Sequence, residues 1–109
     1  MGYYRLFIGA NEEYFFSLNA ENNQVILQSE GYTAKTSAEN GIESVRVNSR
    51  DESKFDRRES KDDQYYFVLK ARNGEIIGTS EMYRQRAGME NGIHSVMENG
   101  PDSPVRDQT

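Results

Sequence analysis

The chain of 109 residues has room for one domain, and its net charge of −5 withholds the basic footprint that nucleic acid or an anionic membrane surface demands. It has no cysteine and a single histidine, which excludes disulfides and thiolate metal sites and leaves a zinc site short of ligands. With 35% hydrophobic and 28% charged residues the core must be modest, yet apolar clusters alternate with turn signals and argue against disorder.

The opening MGYYRLFIGANEEYFF lacks a basic start followed by a long apolar run, and no stretch reaches the roughly 20 apolar residues of a membrane span. A cytoplasmic protein that does not enter membranes is expected. A first strand is read at 3–8. "YFFSLNA" at 14–20 is rich in aromatic and branched residues, and its alternate positions share a face. Asn22-Asn23 reads as a two-residue hairpin turn, because Asn tolerates the positive φ such a turn needs. "QVILQ" returns. The polar "SEGYTAK" then leads into a helix on which Ala34, Ala38, Gly41, Ile42 and Val45 keep a 3.6-residue spacing.

"KFDRRE" at 54–59 is far more polar and reads as an edge strand or a linker. A second hairpin follows, with "YYFVLKA", a turn at Asn73-Gly74 and "EIIGT". "SEMYRQR" leads into a second helix carrying Met89, Gly92, Ile93 and Val96 on its stripe. Gly100 before Pro101 reads as a left-handed helix stop.

These elements are two copies of one pattern. Sliding the chain by 51 residues lays 14–48 on 65–99 without a gap. Identical pairs include Tyr14/Tyr65, Phe16/Phe67, Leu18/Leu69, Ile26/Ile77, Ser29/Ser80, Glu30/Glu81 and Tyr32/Tyr83, followed by a shared "ENGI". That Asn-Gly lies inside a helix in both copies. Gly41 and Gly92 fall on the apolar stripe, so their missing side chains are expected to let the helix backbone approach a neighbour, offsetting a helix-propensity cost of about 1 kcal/mol each.

"LKARNGEIIGTSEMY" with "ENGIHSV", and more loosely "LNAENNQVILQSEGY" with "ENGIESV", resembles the YegP-like family of small, uncharacterised bacterial domains. The resemblance spans about residues 3–107. It implies three strands, a helix and a further strand per unit, with two units joined into one sheet and their final strands exchanged. "KFDRRE" would then close the first unit and open the second, and "SPVRDQT" would contain a last short strand. Asn23 stands where the family has Gly, and "NSRD" lacks the Ala-Pro often found there. The family carries no established activity and no catalytic residues.

The expected fold is therefore α+β: two tandem β(3)-α-β repeats, 3–53 and 54–107, related by a pseudo-twofold axis. They share one antiparallel-rich sheet with two helices on one face. Little in the sequence points to chemistry. His94 aligns with Glu43 and reads as a solvated helix position. Arg46, Arg50, Lys54, Arg57 and Arg58 cluster, but Asp51, Glu52, Asp56 and Glu59 interleave with them and cancel the field. The doubled Ser29-Glu30-x-Tyr32 and Ser80-Glu81-x-Tyr83 is the candidate ligand site, though its plain reading is backbone capping by Ser and packing by Tyr. Two-residue turns would set Ala20 opposite Val25, Leu18 opposite Leu27 and Asn19 opposite Ile26. Phe15, Ile26, Tyr66, Val68 and Ile77 would then form a partly apolar outer sheet face. The expected function is a non-enzymatic structural or protein-binding module that uses this face, with no cofactor and no metal. The chain would be a monomer with internal pseudo-dimer symmetry, open to self-association. The alternative is a small-molecule-binding or weakly catalytic domain with its site between the repeats near the Ser-Glu-x-Tyr motifs.

Overall fold

The computed structural model describes residues 2–109. Strands β1 (Tyr3–Ile8), β2 (Tyr14–Asn19) and β3 (Val25–Gln28) precede helix α1 (Lys35–Asn48). Strands β4 (Phe55–Glu59), β5 (Tyr65–Lys70) and β6 (Ile76–Thr79) precede helix α2 (Arg86–Asn99), and β7 (Val105–Asp107) comes last. All seven strands form one sheet in the order β4-β5-β6-β3-β2-β1-β7. Every neighbouring pair is antiparallel except β1 and β7, which run parallel.

The repeats meet at β3 and β6, where Gln28 pairs with Thr79, the residue 51 positions on. The pseudo-twofold axis passes through this contact. Both helices pack on one face and both reach across it: α1 lies on β1, β2, β5 and β6, and α2 on β5 and β3. The final strand crosses too, since β7 of the second repeat pairs with β1 of the first. β4 closes the first repeat in chain order, but among the described residues it pairs only with β5, so it is one edge of the sheet.

One core lies between sheet and helices. Tyr4, Leu6, Phe16, Leu18 and Leu27 meet Ala38, Ile42 and Val45; Phe55, Phe67 and Leu69 meet Met89, Ile93 and Val96, all buried. The helical stripe is as the periodicity predicts, except that Ala34 is the exposed residue preceding α1. A Cβ added at Gly41 would lie 2.7 Å from the Phe16 ring and 3.0 Å from the Tyr32 hydroxyl. At Gly92 the corresponding neighbours are the Tyr83 hydroxyl and the Phe67 ring. Each helical Asn-Gly is thus a close-packing site, where the tyrosine of Ser-Glu-x-Tyr slides beneath the helix.

The hairpins depart from the expected turns. The Ala20 N–H donates to the Gln24 carbonyl at 2.8 Å and the Asn23 N–H to the Ala20 carbonyl at 2.9 Å, so the loop holds three residues. Asn23 takes φ +69°, and Gly74 takes φ +88° at the same place in the second hairpin. A three-residue loop of this kind suits a left-handed last residue. The extra loop residue is absorbed by a bulge: Asn19 pairs with Val25 while Leu18 still pairs with Leu27. The predicted Ala20–Val25 and Asn19–Ile26 pairs do not form. Ile26 is the surplus residue, and it joins Leu27 in the core instead of pointing outward. Ile77 does the same at the second bulge, between Leu69 and Lys70.

Gly100 also differs from expectation. Its φ of −56° is right-handed. The residue is small because a Cβ there would collide with the Ser49 side chain, where the C-terminal ends of the two helices meet.

Candidate functional site

The Ser-Glu-x-Tyr motifs follow β3 and β6. Ser29 Oγ accepts from the Phe16 N–H at 2.9 Å and donates to the Glu30 carbonyl at 2.8 Å. Ser80 Oγ repeats both contacts with the Phe67 N–H at 3.0 Å and the Glu81 carbonyl at 2.8 Å. Both hydroxyls are buried and committed to backbone, so neither is presented as a nucleophile. Tyr32 and Tyr83 extend the sheet by one residue each: Tyr14 and Tyr32 exchange backbone bonds of 2.7 and 2.8 Å, and so do Tyr65 and Tyr83. Burial raises both phenol pKa values above their ordinary value. Glu30 and Glu75 push Tyr32 the same way, and Glu81 pushes Tyr83. Both phenols therefore stay protonated at neutral pH, which suits packing and not base catalysis.

The motif residues do not converge. Ser29, Glu30, Ser80 and Glu81, with Val25, Gln28 and Thr79, line a shallow depression of about 440 Å³ at the pseudo-twofold axis. Tyr83 lies elsewhere, in a cleft of about 190 Å³ where the first hairpin leans over α2 beside Asn91 and Ser95. Tyr32 packs under α1. Glu81 links depression and cleft, since it accepts from Gln24 Nε2 at 2.6 Å and Gln24 lines the cleft that holds Tyr83.

The helix-free face of the sheet is the other candidate. Register places Tyr3, Arg5 and Phe7 of β1 there, alternating with buried Tyr4 and Leu6. Phe7 stacks on Phe15 with ring centroids 5.8 Å apart, and the Phe15 ring lies against Gly9 and Gly31. The Arg5 guanidinium caps Phe7 at 4.1 Å, and Arg106 of β7 covers Tyr3 at 3.8 Å. Arg5 is further fixed by a 2.7 Å bond to Gln108 Oε1.

The second half of this face is closed by charge. Asp56 meets Arg58 at 3.1 Å and Lys70 at 3.4 Å. Val68, opposite Asp56 in register, points to this face yet is only 2% exposed beneath these side chains. Of the five residues expected to form an apolar outer surface, Phe15 and Tyr66 are there and half-buried, Val68 is covered, and Ile26 and Ile77 belong to the core. Tyr3 and Phe7 were missed. Their signal was the alternation in "YYRLFI", which assigns two aromatics to the face opposite Tyr4 and Leu6.

Arg46, Arg57 and Arg58 of the basic cluster are ion-paired. Arg57 meets Glu90 at 2.6 Å and Glu52 at 3.1 Å, and Arg46 meets Glu43 at 3.1 Å. His94 is exposed on α2. Among the described residues no group of three or more His, Asp or Glu could hold a metal ion, and no helix is long and apolar enough to cross a membrane.

A family described as "Domain of unknown function (DUF1508)" matches the chain twice, over residues 10–56 and 60–107. The chain belongs to this family. The chain of this DUF1508 member is 49% identical over 108 residues to a UPF0339 protein of Shewanella oneidensis, covering 99% of the present chain and 98% of the relative. It is 44% identical over 109 residues to the UPF0339 protein YegP of Yersinia pestis, covering 100% and 97%. The solution structure of yegP from E. coli, described as a protein of unknown function, superposes with a TM-score of 0.94 at 44% identity and covers 99% of this chain and 93% of that one. The DUF1508 family brings no described activity to these residues, and nothing in it indicates catalysis.

Proposed function

We propose that the chain is a non-enzymatic binding module, and that it docks a protein partner on the helix-free face of its sheet. The observation that carries this reading is the Phe7–Phe15 stack capped by Arg5, beside Tyr3 under Arg106. These rings sit on neighbouring strands of a rigid sheet, so little side-chain freedom is lost when a partner covers them. Aromatic and Arg side chains are also the types favoured as interface anchors. The partner patch that fits is apolar at its centre and acidic at its rim. A catalytic reading is weaker. Both serines are spent on backbone bonds, and both tyrosines are protonated.

A photo-crosslinking residue placed at Phe7, and separately at exposed Glu43 on α1, tests this in cells. The expected result is a protein adduct from position 7 that is absent from position 43 and abolished by Phe15→Ser. Identical adducts from both positions, or none from position 7, would remove the reading.

A further inference from the structure

The chain holds four Asn-Gly pairs: Asn40-Gly41, Asn73-Gly74, Asn91-Gly92 and Asn99-Gly100. Such a pair can react with itself. The glycine amide nitrogen, having given its proton to solvent, attacks the asparagine Cγ, and no Cβ on the glycine obstructs it. The new C–N bond closes a five-membered imide, and the side-chain nitrogen takes up a proton and leaves as ammonia. Water then opens the imide. Opening at Cγ gives aspartate. Opening at the main-chain carbonyl gives isoaspartate, whose backbone runs through Cβ. The net exchange is one water for one ammonia.

The fold treats the four pairs differently. Asn40-Gly41 and Asn91-Gly92 lie inside α1 and α2, and both glycines are buried. A helical amide is committed to the carbonyl four residues back, so attack waits until a helix on the core opens. Asn99 ends α2. Its Oδ1 accepts from the Gly2 N–H at 2.9 Å, its Nδ2 donates to the Ser95 carbonyl at 2.8 Å, and the N–H of buried Gly100 donates to the Val96 carbonyl at 2.7 Å.

Asn73 and Gly74 are exposed at the tip of the second hairpin. A Cβ added at Gly74 would meet nothing within 4 Å, so water reaches the pair. The Gly74 amide is held by one turn bond, to the Ala71 carbonyl at 2.9 Å. Asn73 Oδ1 accepts from the Glu75 N–H at 3.0 Å. That donor draws electrons from Cγ and stabilises the oxyanion that attack creates.

The first hairpin is an internal control. Asn22 Oδ1 accepts from the Gln24 N–H at 3.0 Å, and the Asn23 N–H donates to the Ala20 carbonyl at 2.9 Å, as in the second hairpin. The attacking nitrogen there belongs to Asn23, whose side chain crowds it.

We propose that Asn73 is a site of spontaneous modification, the one Asn-Gly pair that converts to aspartate and isoaspartate while the protein stays folded. Water is the only co-reactant. Either product adds one carboxylate to a chain whose net charge is −5. Isoaspartate also adds a backbone carbon to a three-residue loop closed by the 2.7 Å bond from the Ala71 N–H to the Glu75 carbonyl, and so loosens the hairpin.

The experiment incubates the full-length protein in mildly alkaline buffer and follows every asparagine by peptide mapping, with the two acids resolved by mass-spectrometric fragmentation. Conversion at Asn73 should run at least about tenfold faster than at Asn40, Asn91 or Asn99, because opening a loop costs less than opening a helix. In urea the four rates should converge. Gly74→Asn copies the first hairpin and should protect Asn73, whereas Asn23→Gly should start the same reaction at Asn22. Four results would overturn the inference: similar rates at the four pairs in the folded protein, a preference for Asn73 that persists in urea, undiminished conversion in Gly74→Asn, or an Asn22 that stays intact in Asn23→Gly.

Discussion

Leu27 of β3 lies against Gly78 of β6, and the two hold the same position in their repeats. A Cβ added at Gly78 would sit 2.6 Å from Leu27 Cγ. The space at the pseudo-twofold axis therefore takes one leucine, not two. Gly78→Leu should destabilise by about 1–3 kcal/mol through overpacking, and Leu27→Gly by about 2–5 kcal/mol through a cavity. The double exchange should recover most of the loss, because the leucine then enters the same space from the other side. Urea unfolding midpoints of the three variants measure this; a double variant no more stable than the sum of its parts would mean that the axis is not interchangeable.

The same contact bears on the isolated first half. A symmetric dimer of residues 1–50 would set Leu27 against its own copy. That fragment should remain unfolded by circular dichroism, whereas the Leu27→Gly fragment mixed with the wild-type fragment should gain structure. A well-folded wild-type fragment would contradict the one-leucine axis.

At Gly92 helix propensity and packing oppose each other. Alanine gains about 1 kcal/mol of helix propensity but drives a methyl group into the Tyr83 hydroxyl. Gly92→Ala should still lose about 1 kcal/mol, and Gly92→Leu about 2–3 kcal/mol. In a Tyr83→Phe background the alanine variant should lose less. Thermal unfolding of the four proteins decides whether the hydroxyl is the obstacle.

Ser29→Ala and Ser80→Ala each remove the acceptor of a buried strand N–H, Phe16 in one case and Phe67 in the other. A loss of about 1–3 kcal/mol is expected for each, without change in crosslinking from position 7. A serine serving a ligand would give the opposite result, with stability intact and binding lost.

The repeat, the helical stripe and the layering were legible because they depend on spacing that survives any local adjustment. Leu18 and Leu27 were rightly paired for a compensating reason: the loop took one more residue than Asn22-Asn23 suggested, and the bulge at Asn19 returned it. Ile26 and Ile77 could not be placed, because a bulge depends on backbone geometry at one peptide unit and leaves no mark in the alternation. Val68 shows a different limit. Its face follows from register, but its cover comes from Asp56, Arg58 and Lys70 on two strands, a constellation visible only once they are side by side. The Ser-Glu-x-Tyr residues adjoin in sequence and part in space because Tyr32 and Tyr83 turn under their helices.

β7 should be the acid-sensitive element. Its bond to Lys35, with further help from Thr109, holds the Asp107 carboxyl well below the usual carboxylate range. A depressed folded-state pKa contributes stability that is fully present above the unfolded value of about 4 and is lost as pH falls through the depressed one. The Gln108 amide, bonded to the Leu6 carbonyl, should thus lose hydrogen-exchange protection below about pH 4 before β2 and β5 do. Asp107→Asn should remove that pH dependence. Equal loss of protection across the sheet would place the acid sensitivity elsewhere.

The pairing of β1 with β7 also fixes an order of events during synthesis. Tyr4 meets Val105, so β1 waits for a strand synthesised long after it. Until then its outer edge is bare, while the Tyr4 hydroxyl bond to the Gly100 carbonyl, 2.6 Å long, needs only the end of α2. Sequence-distant pairings of this kind slow folding and prolong the exposure of strand edges. A stall or truncation shortly before residue 105 would leave β1 unsealed, with its outer edge exposed.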